Sequence, residues 1–276
     1  MRRRSAAKFA SVAVLLAASL LAVGPALWCL STALKPAGQL LAYPPNWLPH
    51  PPTLESIRQV LEQSALPIYF RNSLIVTGLS LLISLAIGTH AAYAIARHRF
   101  PGRSALLVAL LATSMIPGIA ILVPLYHLTV MSGLYNSFTG QVIVYSAWNV
   151  PILIWLLKGF FESVPRDIEE AAWIDGCSRL RAFYTITLRM ARPGILSGAI
   201  MVIVFVWNDF LITFTLTISD SRRLLSVGLY TYISNYGIQW GQLMAATLIA
   251  LAPVVVAFFL LQRHLVEGLM AGAVKG

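Results

Sequence analysis

Six runs of more than twenty residues in this chain are nearly free of charge, and each is long enough to cross a lipid bilayer as a helix. They lie at about 9–34, 70–96, 104–128, 141–161, 193–218 and 242–262. A bilayer core takes roughly 20 apolar residues in helical form. Helices are expected because each satisfies its own backbone polar groups where water is absent. The composition agrees, with 58% hydrophobic residues, 11% charged residues and a mean hydropathy of +0.76. Soluble domains average about 45–50% apolar and about 25% charged. The expected fold is therefore all-α, a polytopic membrane protein with six transmembrane helices. Residues 1–8 form a cytoplasmic N-terminus, 9–263 a transmembrane domain and 264–276 a cytoplasmic tail. The first apolar run exceeds the roughly 7–15 residues of a signal-peptide core. It reads as an uncleaved first span, and its length also weighs against a twin-arginine signal.

The net charge of +10 fixes orientation rather than marking a nucleic-acid partner. Of the 20 lysines and arginines, 15 fall in the N-terminus, the 97–104 and 158–192 connections and the C-terminal tail. The remaining five are Lys35, Arg58, Arg71, Arg222 and Arg223. Basic residues concentrate on cytoplasmic loops, so both termini are expected inside. Cys29 and Cys177 then fall on opposite sides of the membrane and read as small apolar side chains.

Two outer connections are long. Residues 35–69 contain PPNWLPHPP, which is turn punctuation, with Tyr43, Trp47 and Tyr69 suited to an interface belt. Residues 219–241 carry Tyr230, Tyr232, Tyr236 and Trp240. Two readings fit these aromatics: interfacial anchors, or a docking surface for an outside partner.

The inner connection 162–192 is different in kind. It holds five of the ten acidic residues, namely Glu162, Asp167, Glu169, Glu170 and Asp175, followed by Arg179, Arg181, Arg189 and Arg192. Pro165 suits a helix first turn, and Asp167, Glu169 and Glu170 lie where the helix dipole favours carboxylates. Val164, Ile168 and Ala171 or Ala172 form an apolar stripe, and Gly176 ends the helix. A second amphipathic stretch follows through Leu180, Phe183, Tyr184, Ile186 and Leu188, and Pro193 and Gly194 open the fifth span. The spacing predicts a helix–turn–helix on the cytoplasmic surface, with the alanines leaving a smooth patch for another protein.

Glu170-Ala171-Ala172, Asp175-Gly176, Phe183, Ile186, Leu188 and Pro193 resemble the cytoplasmic "EAA" loop of ABC importer permeases. The likeness continues in Arg71-Asn72-Ser73-Leu74, in Ala91-Ala92-Tyr93-Ala94 and in Arg97, Arg99-Phe100 and Pro101-Gly102. It goes on through Pro117, Pro124-Leu125-Tyr126 and Trp207-Asn208-Asp209. The ending Gly268-Leu269 and Gly272-Ala273-Val274-Lys275-Gly276 completes it. Together these are similar to the maltose-type permeases of carbohydrate ABC importers, specifically the smaller six-span partner, over about 70–263. Leu188-Arg189 departs from the Leu-Pro that the family often carries there. The resemblance implies a type I importer permease fold and a coupling helix, with Glu170, Ala171, Ala172, Asp175 and Gly176 meeting an ATPase. It implies no catalysis and no cofactor in this chain, ATP being held by two copies of a separate subunit. It also implies a second permease subunit, an extracytoplasmic solute-binding protein and a bacterial or archaeal plasma membrane.

Four residues are candidates for a translocation pathway. Asp209 stands within a span, where an ionisable group is costly unless paired or facing water; Asn208 adjoins it. A pathway role and a structural hydrogen bond both fit. Trp148 and Asn149 precede Pro151, which removes a backbone bond and favours a kink near a cavity. They offer the ring face and amide that a sugar pathway needs, or a packed interface. His90 reads as a satisfied histidine between helices, and Gly88, Ala92 and Ala96 as a face for close helix packing. No GxxxxGK[ST] is present, so the chain supplies no P-loop ATP site. An ion-coupled secondary transporter or a membrane enzyme would need inverted repeats or a convergent catalytic set, and neither is visible. Glycerol-phosphate and other solutes are alternatives to sugars.

Overall fold

The computed structural model describes residues 2–234 and 237–273, with side chains over 11–234 and 237–260. The expected Tyr236 anchor and the terminal Val274–Gly276 lie outside the described residues. The helices are α1 (Arg2–Ala33), α2 (Glu55–Glu62), α3 (Leu66–Arg97), α4 (Arg103–Ser114), α5 (Gly118–Met131), α6 (Phe138–Ser163), α7 (Arg166–Ile174), α8 (Arg179–Ala182), α9 (Leu188–Met190), α10 (Arg192–Asn208), α11 (Leu211–Leu216), α12 (Leu225–Tyr230) and α13 (Trp240–Ala273). A π-helical turn, Phe183–Thr187, joins α8 to α9. Among the described residues the only strands are β1 (Ile233–Ser234) and β2 (Gly237–Ile238), an antiparallel pair.

Four helices are long and apolar enough to cross a membrane: α1 over Ser11–Ala33, α3, α6, and α13 over Trp240–Leu260. Two bent pairs bring the number to six if each pair counts as one span. Interior prolines lie within α1, α6 and α13, at Pro25, Pro151 and Pro253 respectively. The long helix α3 has none beyond its first turn.

The third expected span, 104–128, is not one helix. It is α4 and α5, bent by 95° at a short break. Pro117 causes it: a proline offers no N–H to the preceding turn and pushes the residue before it out of helical geometry. Pro117 itself is extended, with ψ 124°, and stands at the start of α5. At about 1.5 Å per residue, neither half alone covers a hydrocarbon core of about 30 Å. The fifth expected span, 193–218, is likewise split. Helix α10 stops at Asn208, Asp209 is extended, and α11 begins at Leu211.

Contacts divide the chain into two units. One comprises residues up to Pro67 with Gly228–Ala252; the other comprises Ile68–Val227 and the residues from Pro253. In the first unit, Trp28 meets Trp47 edge-on at 5.4 Å, and the Lys35 ammonium lies 4.3 Å above the Trp28 ring. Tyr43 and Trp47 are exposed, as an interface belt requires. Tyr232 is not: it is buried, and its hydroxyl donates to Ser64 Oγ at 3.0 Å. Tyr69, at the start of the second unit, is also buried rather than belt-like and donates to Asp220 at 3.0 Å. In both cases a protein partner for the phenol replaces the headgroup region, a usual fate of a buried tyrosine.

The core of the second unit is built around α6. Leu153, fully buried, occupies a notch made by two glycines on different helices. A Cβ on Gly88 of α3 would stand 2.8 Å from one of its methyl carbons, and a Cβ on Gly198 of α10 would stand 2.4 Å from the other. Apolar contact with lipid is as favourable as with leucine, so close backbone approach and packing hold such helices together. Ala92 and Ala96, expected on the same small face as Gly88, are buried too.

At the end of α3 away from Arg97, polar side chains grip the segment 218–225. Asn72 Nδ2 donates to the carbonyls of Ser221 (3.1 Å) and Arg223 (2.9 Å). Ser73 Oγ accepts from the Leu225 amide at 2.8 Å. The fully buried Gln141 of α6 donates to the Arg222 carbonyl at 3.1 Å and accepts from Thr213. Asn136 accepts from the amides of Ile218 and Ser219. The first part of the 219–241 connection is thus a fixed turn, and Asn72-Ser73 has a physical reason to open the second span.

Candidate functional site

The loop at the Arg97 end of α3 contains the short helix α7. Pro165 stands just before it, extended at ψ 134°, rather than inside its first turn. Asp167 and Glu169 occupy the first turn, where the unpaired amides favour negative charge. The helix ends in a Schellman motif. Gly176 N donates to the Trp173 carbonyl (3.0 Å) and Cys177 N to the Ala172 carbonyl (2.9 Å). Gly176 has φ +83°, a conformation that L side chains rarely adopt.

The expected apolar stripe is divided between two faces. Val164 is buried and Trp173 half-buried against the protein. Ile168, Ala171 and Ile174 lie on the surface, Ile174 being 86% exposed. Of the residues singled out from the sequence, Glu170, Ala171, Asp175 and Gly176 are exposed and adjacent, and Ala172 is half-buried. The second amphipathic stretch is not one regular helix. Ser178 caps α8, accepting from Arg181 N at 3.3 Å; the π-turn follows, then α9. Phe183 and Thr187 point inward, while Leu180 and Tyr184 stay exposed. The chain then bends by 74° into α10, with Pro193 near its N-terminus.

Sequence reasoning missed what holds this loop in place. Glu169 is 2% exposed. Its carboxylate forms an ion pair with Arg97 at 2.7 Å and accepts from Arg97 Nε at 2.9 Å. It also accepts from Tyr93 Oη at 3.0 Å and from Thr187 Oγ1 at 2.8 Å. Arg97 further donates to the Val164 carbonyl at 3.0 Å. Arg166 donates back to the carbonyls of Ala96 and Arg97, both at 3.3 Å. Tyr93 packs against Phe183 with ring centres 4.4 Å apart and the planes tilted by 44°. Arg97 and Glu169 are 72 residues apart, and the sequence signal was only that Arg97 lay in a family-like stretch and that Glu169 suited the start of a helix. His90 bridges the same elements: Nδ1 donates to the Ala86 carbonyl (2.6 Å) and Nε2 accepts from Tyr184 Oη (2.7 Å). Its nitrogens are satisfied, as expected, but it stays exposed rather than enclosed between helices.

The four pathway candidates do not converge on one cavity. Trp148 stacks on Phe205 at 6.4 Å and lines an apolar cavity of about 480 Å³ with residues of α4, α5 and α6, Pro151 among them. Asn149 is buried on another face and donates to the Tyr145 carbonyl at 2.8 Å. Asn208 is exposed and donates to the Val204 carbonyl one turn back. Asp209 has a clear structural role. One carboxylate oxygen accepts from the buried Tyr145 Oη at 2.8 Å and from the Ile212 amide at 2.9 Å. It thereby caps α11 and ties the break in α10–α11 to α6.

Apolar helices long enough to cross a membrane, with one polar loop tied to the end of α3, describe a membrane-embedded protein. Residues 75–270 match the family described as "Binding-protein-dependent transport system inner membrane component". The chain belongs to that family and is a membrane-embedded permease of a binding-protein-dependent ABC importer, which displaces the ion-coupled alternative. It is 34% identical to the sulfoquinovosyl glycerol transport system permease protein SmoH of Agrobacterium fabrum, over 95% of this chain and 93% of that one. It is 35% identical to the trehalose/maltose transport system permease protein MalG of Thermococcus litoralis, over 81% and 82%. Its fold is similar to that of a bacterial ABC transporter importing the acidic polysaccharide alginate. The TM-score there is 0.81 at 18% identity, over 96% and 98% of the two chains.

Proposed function

We propose that this chain is one of two permease subunits in an ATP-driven importer of a sugar or related polyol. Both termini are cytoplasmic, and the loop 162–192 receives an ATPase subunit that is present in two copies and does the hydrolysis. A solute-binding protein delivers the substrate from outside. The observation that carries this reading is α7: its Ile168, Ala171 and Ile174 are exposed together while every polar tie of Glu169 faces inward. A surface that is apolar, small at its centre and rigidly backed is what a packed protein interface requires. The sugar reading is supported by relatives named for a sulfoquinovosyl glycerol and for trehalose and maltose. The positive-inside bias supports the orientation.

The experiment is purification with the ATPase and binding protein encoded beside this chain. Ala171→Trp is expected to lose ATPase association while the protein still inserts. Mass spectrometry of ligand retained by the binding protein is expected to find a carbohydrate or polyol; any other solute overturns the sugar assignment. Reporter fusions after Pro51 should read outside and those after Pro101 and Arg179 inside.

A further inference from the structure

Resting on that reading of the loop, we propose that Glu169 and Arg97 are positioning residues of the transport cycle: they lock the coupling helix to the end of α3, so that α7 and α3 move as one body. The ties are reciprocal. The last arginine of α3 holds a carboxylate of α7, and Arg166, the first residue of α7, donates to the carbonyls of the final two residues of α3. Those carbonyls have no partner within the helix. Thr187 adds a third body, the π-turn that leads into α10. A force on the exposed face of α7 therefore reaches two membrane helices through directed bonds.

The chemistry of the pair argues for position over stability. A buried ion pair is often no more stabilising than apolar side chains of the same volume. An apolar contact, however, would let α7 slide or rotate across the end of α3, whereas four hydrogen bonds and an ion pair between the two helices fix both. The charge sets the carboxylate apart: one oxygen meets Arg97 and Thr187 and the other the Tyr93 hydroxyl, so an amide could keep those hydrogen bonds by donating to Tyr93 Oη but would lose the ion pair with Arg97. Glu169→Gln is thus expected to weaken the lock by loss of the ion pair, with almost no change of volume. The double variant Glu169→Ala/Arg97→Met removes both charges together, so no buried charge is stranded; the Tyr93 and Thr187 hydroxyls and the Val164 carbonyl each lose a neutral hydrogen bond, a smaller cost than one unpaired charge.

The test uses the assembled importer in liposomes, with nitroxides at the exposed positions Asp167 on α7 and Ala94 on α3. In the parent protein the distance distribution is expected to be narrow and unchanged when ATP and vanadate trap the ATPase. In Glu169→Gln and in the double variant it is expected to broaden or shift on trapping. Stimulation of hydrolysis by the binding protein should fall roughly tenfold, within the range that coupling-network substitutions span. ATPase co-purification should stay at the parent level. Distributions and stimulation that match the parent in both variants overturn the proposal. So does loss of co-purification, which would put Glu169 in the docking contact itself. Full ATPase association in Ala171→Trp would instead sink the coupling-surface reading, independently of the lock.

Discussion

Glu169 and Glu170 are neighbours in sequence with opposite fates: the first carboxylate is 2% exposed and bonded to three other residues, and the second projects into solvent. One helical step of about 100° separates them. It divides α7 into an inward face that anchors and an outward face left free to be met.

Gly176 reverses the chain beyond α7, and the space around it is open: a Cβ there meets nothing within 4 Å. The constraint is the backbone alone, φ +83°. Gly176→Asn should be tolerated best, Gly176→Ala less and Gly176→Val least, with strain of about 1–3 kcal/mol for the last. ATPase co-purification across the three variants checks the order. Equal losses for Asn and Val would mean that bulk, not φ, is what the position rejects.

Asp209 and Tyr145 should behave as a coupled pair. Asp209→Asn keeps an oxygen able to accept from both Tyr145 and the Ile212 amide, so the melting temperature in detergent should hardly move. Asp209→Leu leaves the buried Tyr145 hydroxyl without the carboxylate to which it donates, at a cost of about 1–3 kcal/mol. Adding Tyr145→Phe to Asp209→Leu should cost less than the two singles combined. Transport lost in Asp209→Asn at an unchanged melting temperature would reveal a pathway role beside the brace.

Gly88 and Gly198 accommodate the two methyls of one leucine. Either Gly88→Ala or Gly198→Ala alone lets Leu153 rotate away. Both together leave it no free rotamer, at about 1–3 kcal/mol for overpacking. The double variant should therefore exceed the sum of the singles, and Leu153→Ala should restore it. Thermal unfolding of the four proteins decides this; strict additivity refutes the shared notch.

Asn72 donates one amide group to two carbonyls. Asn72→Ala removes the donor, whereas Asn72→Asp aims a carboxylate at both acceptors. Hydrogen exchange over 218–225 should rise in Ala and rise further in Asp. An aspartate variant as protected as the parent would show that this amide does not hold the turn.

Much of this was legible beforehand because it depends on local composition. Apolar length marked α1, α3, α6 and α13, and the loop spacing marked α7 and its terminal glycine. The breaks were harder to see. Pro117 was visible, but hydropathy averages over a window and carries no direction, so two helices at 95° read as one span. Asp209 showed its cost without its partner, because Tyr145 is 64 residues away. Tyr69 and Tyr232 carried the right chemistry for an interface and were buried by partners 151 and 168 residues distant. The Arg97–Glu169 pair was hidden for the same reason: periodicity reports which face a residue shares, never which distant element covers it.

The absence of an interior proline in α3 has a mechanical consequence. Sharp kinks in long helices arise mostly at proline or other breaks in the hydrogen-bond ladder, and α3 lacks the interior proline that α1, α6 and α13 each carry. From Asn72 to Arg97 it is a rod of about 38 Å, at about 1.5 Å per residue. It is gripped at one end by the 218–225 turn and at the other by the loop helix. With the proposed lock in place, a tilt imposed at Arg97 would be carried to Asn72 along one unbroken helix. The 218–225 turn and the loop helix are thereby joined to opposite ends of a single helix.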